Sequence, residues 1–184
     1  MQELRVATVR AICALDSALL EVRGEVVVRA GRRLSDQANH PDPMLELGAA
    51  SMRVHGPGGP EEWEDVAGMT LNQDQVTVLV PVEDRDPGPD PRLVGVGAEP
   101  TRDVRVKLVC AAAQVAGFIK VPKQMTMASF MHSSRARFLA VTACRVLGAP
   151  GAPPPGDLEG AHAFCMVNRD HVIACTEARP SSSP

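Results

Sequence analysis

A chain of 184 residues with 45% hydrophobic side chains has apolar material for one large domain or two small ones, but only 3% are aromatic. Val, Ala, Leu and Met must therefore fill the interior. A net charge of −3 excludes a uniformly basic nucleic-acid footprint, and no run approaches the roughly 20 apolar residues of a membrane span. "MQELRVATVR" lacks the basic start and apolar stretch of a secretory signal. Five cysteines in no paired pattern fit a reducing compartment, so the chain is expected to be cytoplasmic and without a disulfide framework.

In chain order, "LRVATVRAIC" reads as a strand, and "GEVVVRAG" as a second one with Gly24 inside it, where a missing side chain permits a bend or a close approach. "RRLSDQANHPDP" predicts a short helix capped by Ser35, and "MLELGAA" a third strand from Met44. "HGPGGPEEWED" is a loop and "LNQDQVTVL" a strand, a turn and a strand. "EDRDPGPDPRLVGVGAEPTRD", with four prolines and three glycines, resists both helix and central strand and is expected to be a linker. Then come "VRVKLVC", "AGFIKVP" around Gly117, and "MTMASFMHSSRA", where Met127, Phe130 and Met131 have helical spacing. The strand "FLAVTAC", the loop "GAPGAPPPGD", "VNRDHVIAC" and the tail "RPSSSP" complete the chain.

These segments match in pairs. Cys13 pairs with Cys110, Gly24 with Gly117, Met44 with Phe138, and residues 71–79 with 167–175, at offsets of 97, 93, 94 and 96 residues in unchanged order. Slips that small are those of loops, so the pattern predicts two divergent copies of one unit. The expected organisation is a first barrel over 1–84, a linker over 85–101, a second barrel over 102–178 and a disordered tail over 179–184. The expected fold is all-β with short helices: two tandem small Sm-like or SH3-like β-barrels, each with a helix inserted after its second strand. Residues 1–84 carry 7 basic and 14 acidic side chains and 101–184 carry 10 and 5, so the halves have opposite sign and complementary fields.

The Val-Asn-Arg-Asp-His pattern of "VNRDHV" after "FLAVTACRV" resembles an uncharacterised bacterial domain family with the same helix insert. More distantly, the order of elements is similar to Sm-like small β-barrels, over roughly residues 4–82 and 102–177. That resemblance implies ring assembly by edge-strand pairing, and RNA binding by a third-strand Asn and an Arg-Gly turn. Here Leu45 and Leu139 fall at the Asn position, and Asn72-Gln73 and Asn168-Arg169 at the Arg-Gly position.

Candidate site residues divide into three sets. Met127, Phe130 and Met131 on the second helix, with Arg169 and His171 on the turn, are candidates for a protein partner or for self-association, since Met-rich faces adapt to partners. The alternative reading of the helix stripe is a lid on the second barrel. Arg102, Arg105, Lys107, Lys120, Lys123, Arg135, Arg137 and Arg145 would carry RNA or another polyanion, the alternative function, although a solvated face is the default. His162, Cys165, His171 and Cys175 have zinc-ligand chemistry, the second alternative. Their counterparts Val66, Met69, Gln75 and Leu79 argue instead for a core role of the cysteines. No catalytic residue and no cofactor are expected. The Asn-x-Asp turns are expected to be structural. The leading expectation is a non-enzymatic interaction or scaffold protein that self-associates through barrel edges and complementary charge, as a homo-oligomer.

Overall fold

The computed structural model describes residues 4–15, 18–29, 32–82, 100–149 and 156–177. The expected linker falls almost wholly on 83–99, which with the tail 179–184 lies outside the described residues. Among those described, the first half supplies β1 (Leu4–Ala14), β2 (Leu19–Arg29), α1 (Leu34–Ala38), β3 (Met44–Gly56), β4 (Gly59–Pro60), β5 (Glu64–Asn72) and β6 (Val76–Pro81). The second half supplies β7 (Thr101–Cys110), β8 (Ala113–Pro122), α2 (Met127–Ser133), β9 (Phe138–Gly148), β10 (Gly160–Asn168) and β11 (Val172–Glu177).

The chain is mostly β, and its strands form one antiparallel sheet that does not close on itself. Its order is β11-β7-β8-β9-β10-β6-β1-β2-β3-β4, with β5 also on β3. Where two separately bonded barrels were expected, hydrogen bonds cross from one half to the other at β10–β6. Each half nonetheless lays down its strands in one relative order: β6-β1-β2-β3-β5 in the first, β11-β7-β8-β9-β10 in the second.

Alternation sets the faces. In β7, Val104, Val106 and Leu108 are buried while Arg105 and Lys107 are exposed, the period-two pattern of a sheet wet on one side. That alternation slips by one residue at Ala49 in β3 and Ala143 in β9, which have φ of 42° and 44°. Left-handed backbone at a non-glycine is strained, and here it accompanies a register shift against the preceding strand, as β-bulges do. The shifts lie beside Gly24 and Gly117, where a Cβ would meet Leu47 Cβ at 2.9 Å and Val141 Cγ1 at 2.7 Å. Close approach is therefore the reason for both glycines, as the strand-interior position implied.

Two buried clusters result, and neither belongs to one half alone. The first holds most second-half core residues together with Ile12, Leu19, Val78 and Val80; the other holds the first-half core together with Phe138, Phe164 and Met166. Because the sheet runs on through β10 and β6, the face that is outer in one half becomes inner in the other.

The helices follow their local chemistry. Thr126 Oγ1 accepts from the Ser129 N–H at 3.1 Å and starts α2. In α1 the cap differs from expectation: Arg33 holds the N-cap position, its N–H donates to Asp36 Oδ2 at 3.0 Å, and Ser35 lies inside the first turn. Asp36 wins because its carboxylate reaches back from the third helical position. No helix among the described residues is long and apolar enough to cross a membrane.

Candidate functional site

The two Asn-x-Asp turns face each other across the junction of the halves. In each, the Asn side chain accepts the N–H of the Asp two residues on, Asn72 with Asp74 and Asn168 with Asp170, both at 3.0 Å. These are Asx-type caps on one-turn 3-10 helices, the structural role expected of them. The turns deliver β6 and β10 side by side, with Met166 opposite Leu79 and Val167 opposite Val78.

Polar side chains then tie the seam. His171 Nε2 donates to the Asp74 carbonyl at 2.8 Å, which leaves Nδ1 to meet the buried Thr77 hydroxyl at 2.9 Å. Arg137 spans the junction with one nitrogen on Gln73 Oε1 (2.8 Å) and another on Asp74 Oδ1 (3.0 Å). Asn168 Nδ2 donates to the Gln73 carbonyl at 3.2 Å. At the end of α1, Asn39 behaves as a surrogate peptide group towards Phe138: its Oδ1 accepts that residue's N–H at 2.8 Å and its Nδ2 donates to that carbonyl at 3.2 Å.

The sequence candidates therefore have varied places. Arg169 bonds the Ser134 carbonyl and Asp170, and with His171 it works within the chain. Met127 is buried, and Phe130 and Met131 pack partly buried against the same core, as a lid would. Of the basic set, Arg137 belongs to the seam and Arg102 donates to the Met125 carbonyl at 3.3 Å. Lys123 and Arg135 lie exposed on the segments flanking α2, whereas Arg105, Lys107, Lys120 and Arg145 share one outer sheet face.

The four residues of the possible zinc set are not gathered. His162 bonds the Leu158 carbonyl at 2.9 Å, His171 has both ring nitrogens engaged at the seam, Cys165 is buried beside Cys144 and Cys175 is half-buried on β11. Among the described residues no three His, Cys, Asp or Glu side chains converge as metal ligands. Burial pushes the Cys13 and Cys110 thiols up to about 11, so both are protonated at neutral pH and poorly nucleophilic.

One further cluster lies outside the candidates of the sequence. Glu21, fully buried on β2, accepts at Oε2 from Arg53 Nη2 (2.7 Å) and Nε (2.9 Å), with His55 Nε2 at 3.0 Å. Trp63 lies under the guanidinium groups of Arg23 and Arg53, at 4.1 and 4.5 Å. Gly156 of the second half closes over this group with φ +61°, where a Cβ would stand 2.5 Å from Glu21 Oε2. The only hint was a Glu within the apolar run "LLEVRGEVVV".

No protein-family model, no curated protein and no solved structure matches this chain.

Proposed function

We propose that this protein is a non-enzymatic interaction or scaffold protein which self-associates head to tail through its strand edges. In this reading each half descends from one duplicated unit and is a small Sm-like open barrel. The observation that carries the proposal is the β10–β6 junction: within one chain, the halves already join by edge-strand pairing. In the relative strand order, β5 holds in the first half the place of β10, and β11 holds in the second half the place of β6. Among the described residues β5 pairs only with β3 and β11 only with β7.

An exposed edge is a template for a further strand. The contrast in burial favours its use. All six residues of β6 are buried, whereas β11 is largely exposed, with Ile173 at 72% where its counterpart Thr77 is at 0%. By the 96-residue offset, β5 of one copy against β11 of the next would set Leu71 opposite Ala174 and Thr70 opposite Cys175. The contact is heterologous, so repetition closes a ring or extends a filament. The acidic first half and basic second half meet at each such joint with complementary sign.

Sedimentation velocity across a hundredfold concentration range tests this. The wild type should shift to species larger than a monomer, and Ile173→Asp, which places a carboxylate where the joint is dry, should weaken association at least a hundredfold. A monomer at every concentration sinks the proposal.

A further inference from the structure

We propose that the outer face of β7, β8 and β9 binds a linear phosphate polymer, with Phe118 as a stacking platform that selects single-stranded nucleic acid. The register assembles this face from residues far apart in sequence. Arg105 stands directly opposite Phe118, and Phe118 opposite Thr142; on the next rung Lys107 faces Ala116, and Ala116 faces Arg145. Lys120 lies two residues along β8, on the same side as Phe118. Four cations thus surround one aromatic ring that is 37% exposed.

Charge and neighbours favour an anionic occupant. The three strands carry five basic residues and one acidic one, Asp103. Among the described residues Arg105, Lys107, Lys120 and Arg145 are exposed, and none of them makes an ion pair or side-chain hydrogen bond. Asp103 stands opposite Lys120 on this face and offsets one of the four charges; the remaining excess of like charge raises the local potential, which an incoming phosphate chain lowers. Alanines at 116 and 140 keep the surface between the cations low, so a backbone can approach. From Lys120 the face continues into a groove of about 630 Å³ lined by Phe130 and Phe164 and, from the α1 region, by Arg33 and Asp36. That volume suits a base-sized ring, and base stacking on aromatic side chains tolerates any sequence.

This surface uses different residues from the third-strand position Leu139 and the Asn168-Arg169 turn, so it does not depend on the Sm-like reading. It also avoids the β5 and β11 edges, so the variants below should leave the sedimentation profile of the full chain unchanged.

The test is fluorescence anisotropy with a fluorescein-labelled twelve-residue oligothymidylate, with inorganic polyphosphate as competitor. The oligonucleotide should bind at 50 mM salt, with log affinity falling against log salt with a slope of about −3 for four phosphate contacts. Arg105→Gln with Lys120→Gln should weaken binding at least tenfold at unchanged melting temperature. Phe118→Ala should weaken the oligonucleotide roughly tenfold and leave polyphosphate unaffected. Equal binding by Phe118→Ala would overturn the selection of nucleic acid and leave the bare phosphate chain as ligand. Absence of binding at 50 mM salt, undiminished binding by the double variant, or capture only by phosphatidylserine vesicles would overturn the site.

Discussion

Glu21→Ala is expected to destabilise the protein by about 3–5 kcal/mol, the cost of breaking a buried ion pair by removing one partner. For a chain of this length that lowers the melting temperature by roughly 6–20 °C. The size follows from what remains behind. Arg53, only 15% exposed at its side chain, is stacked on Trp63 and aimed at a carboxylate that would no longer exist. His55, 2% exposed, would lose the carboxylate 3.0 Å from its Nε2 and keep there only the Arg53 Nε–H, while its Nδ1 is already without a partner. Gly156 packs over the group too closely to admit a larger residue.

Glu21→Gln keeps the shape and one acceptor oxygen and should lose less than the alanine variant. Trp63, the single tryptophan, gives a local readout: its emission should shift in Glu21→Ala below the unfolding transition. Thermal unfolding followed by circular dichroism checks the global loss. A melting temperature within 2 °C of wild type would mean that this buried ion pair makes no net contribution to stability.

Gly117→Ala is the second large effect, about 1–3 kcal/mol by overpacking, with Gly117→Val expected not to fold. A Cβ there would sit 2.7 Å from Val141 Cγ1, 2.9 Å from Cys144 Cβ and 2.9 Å from the Thr142 carbonyl oxygen. One side chain can turn aside, but a carbonyl in a sheet ladder cannot. Gly24→Ala meets Leu47 Cβ at 2.9 Å and side-chain atoms of Leu47 and Ala50 beyond 3 Å, with no backbone atom among its three nearest contacts. It should therefore cost less than Gly117→Ala. Paired chemical-denaturation curves check the order, and an equal or reversed ranking would show that the β8–β9 crossing relaxes more easily than its geometry implies.

Much of the architecture is legible in the sequence. Strands announced themselves by alternation, as in "VRVKLVC", because burial of one face is written residue by residue. Asn72 and Asn168 announced their turns because an Asx cap is made within three residues. Gly24 and Gly117 were recognisable as places of close approach, although not what approached them. The helix α2 followed from Met127, Phe130 and Met131, but the spacing fitted a lid and a docking stripe equally well. The burial of Met127 in the second-half core fits the lid.

What sequence by itself determined, then, was the local element and its wet and dry faces, since those depend on a residue and its near neighbours. Only the tertiary structure decided that β10 bonds to β6 to make one unclosed sheet, because strand edges recognise each other through backbone groups that every residue carries alike. It likewise decided that Glu21 meets Arg53 and His55, that His171 spends both ring nitrogens on the first half, and that Phe118 lies amid cations from three strands. Such neighbours are set by cross-strand register, and a register shift of one residue would have turned every one of those side chains to the opposite face.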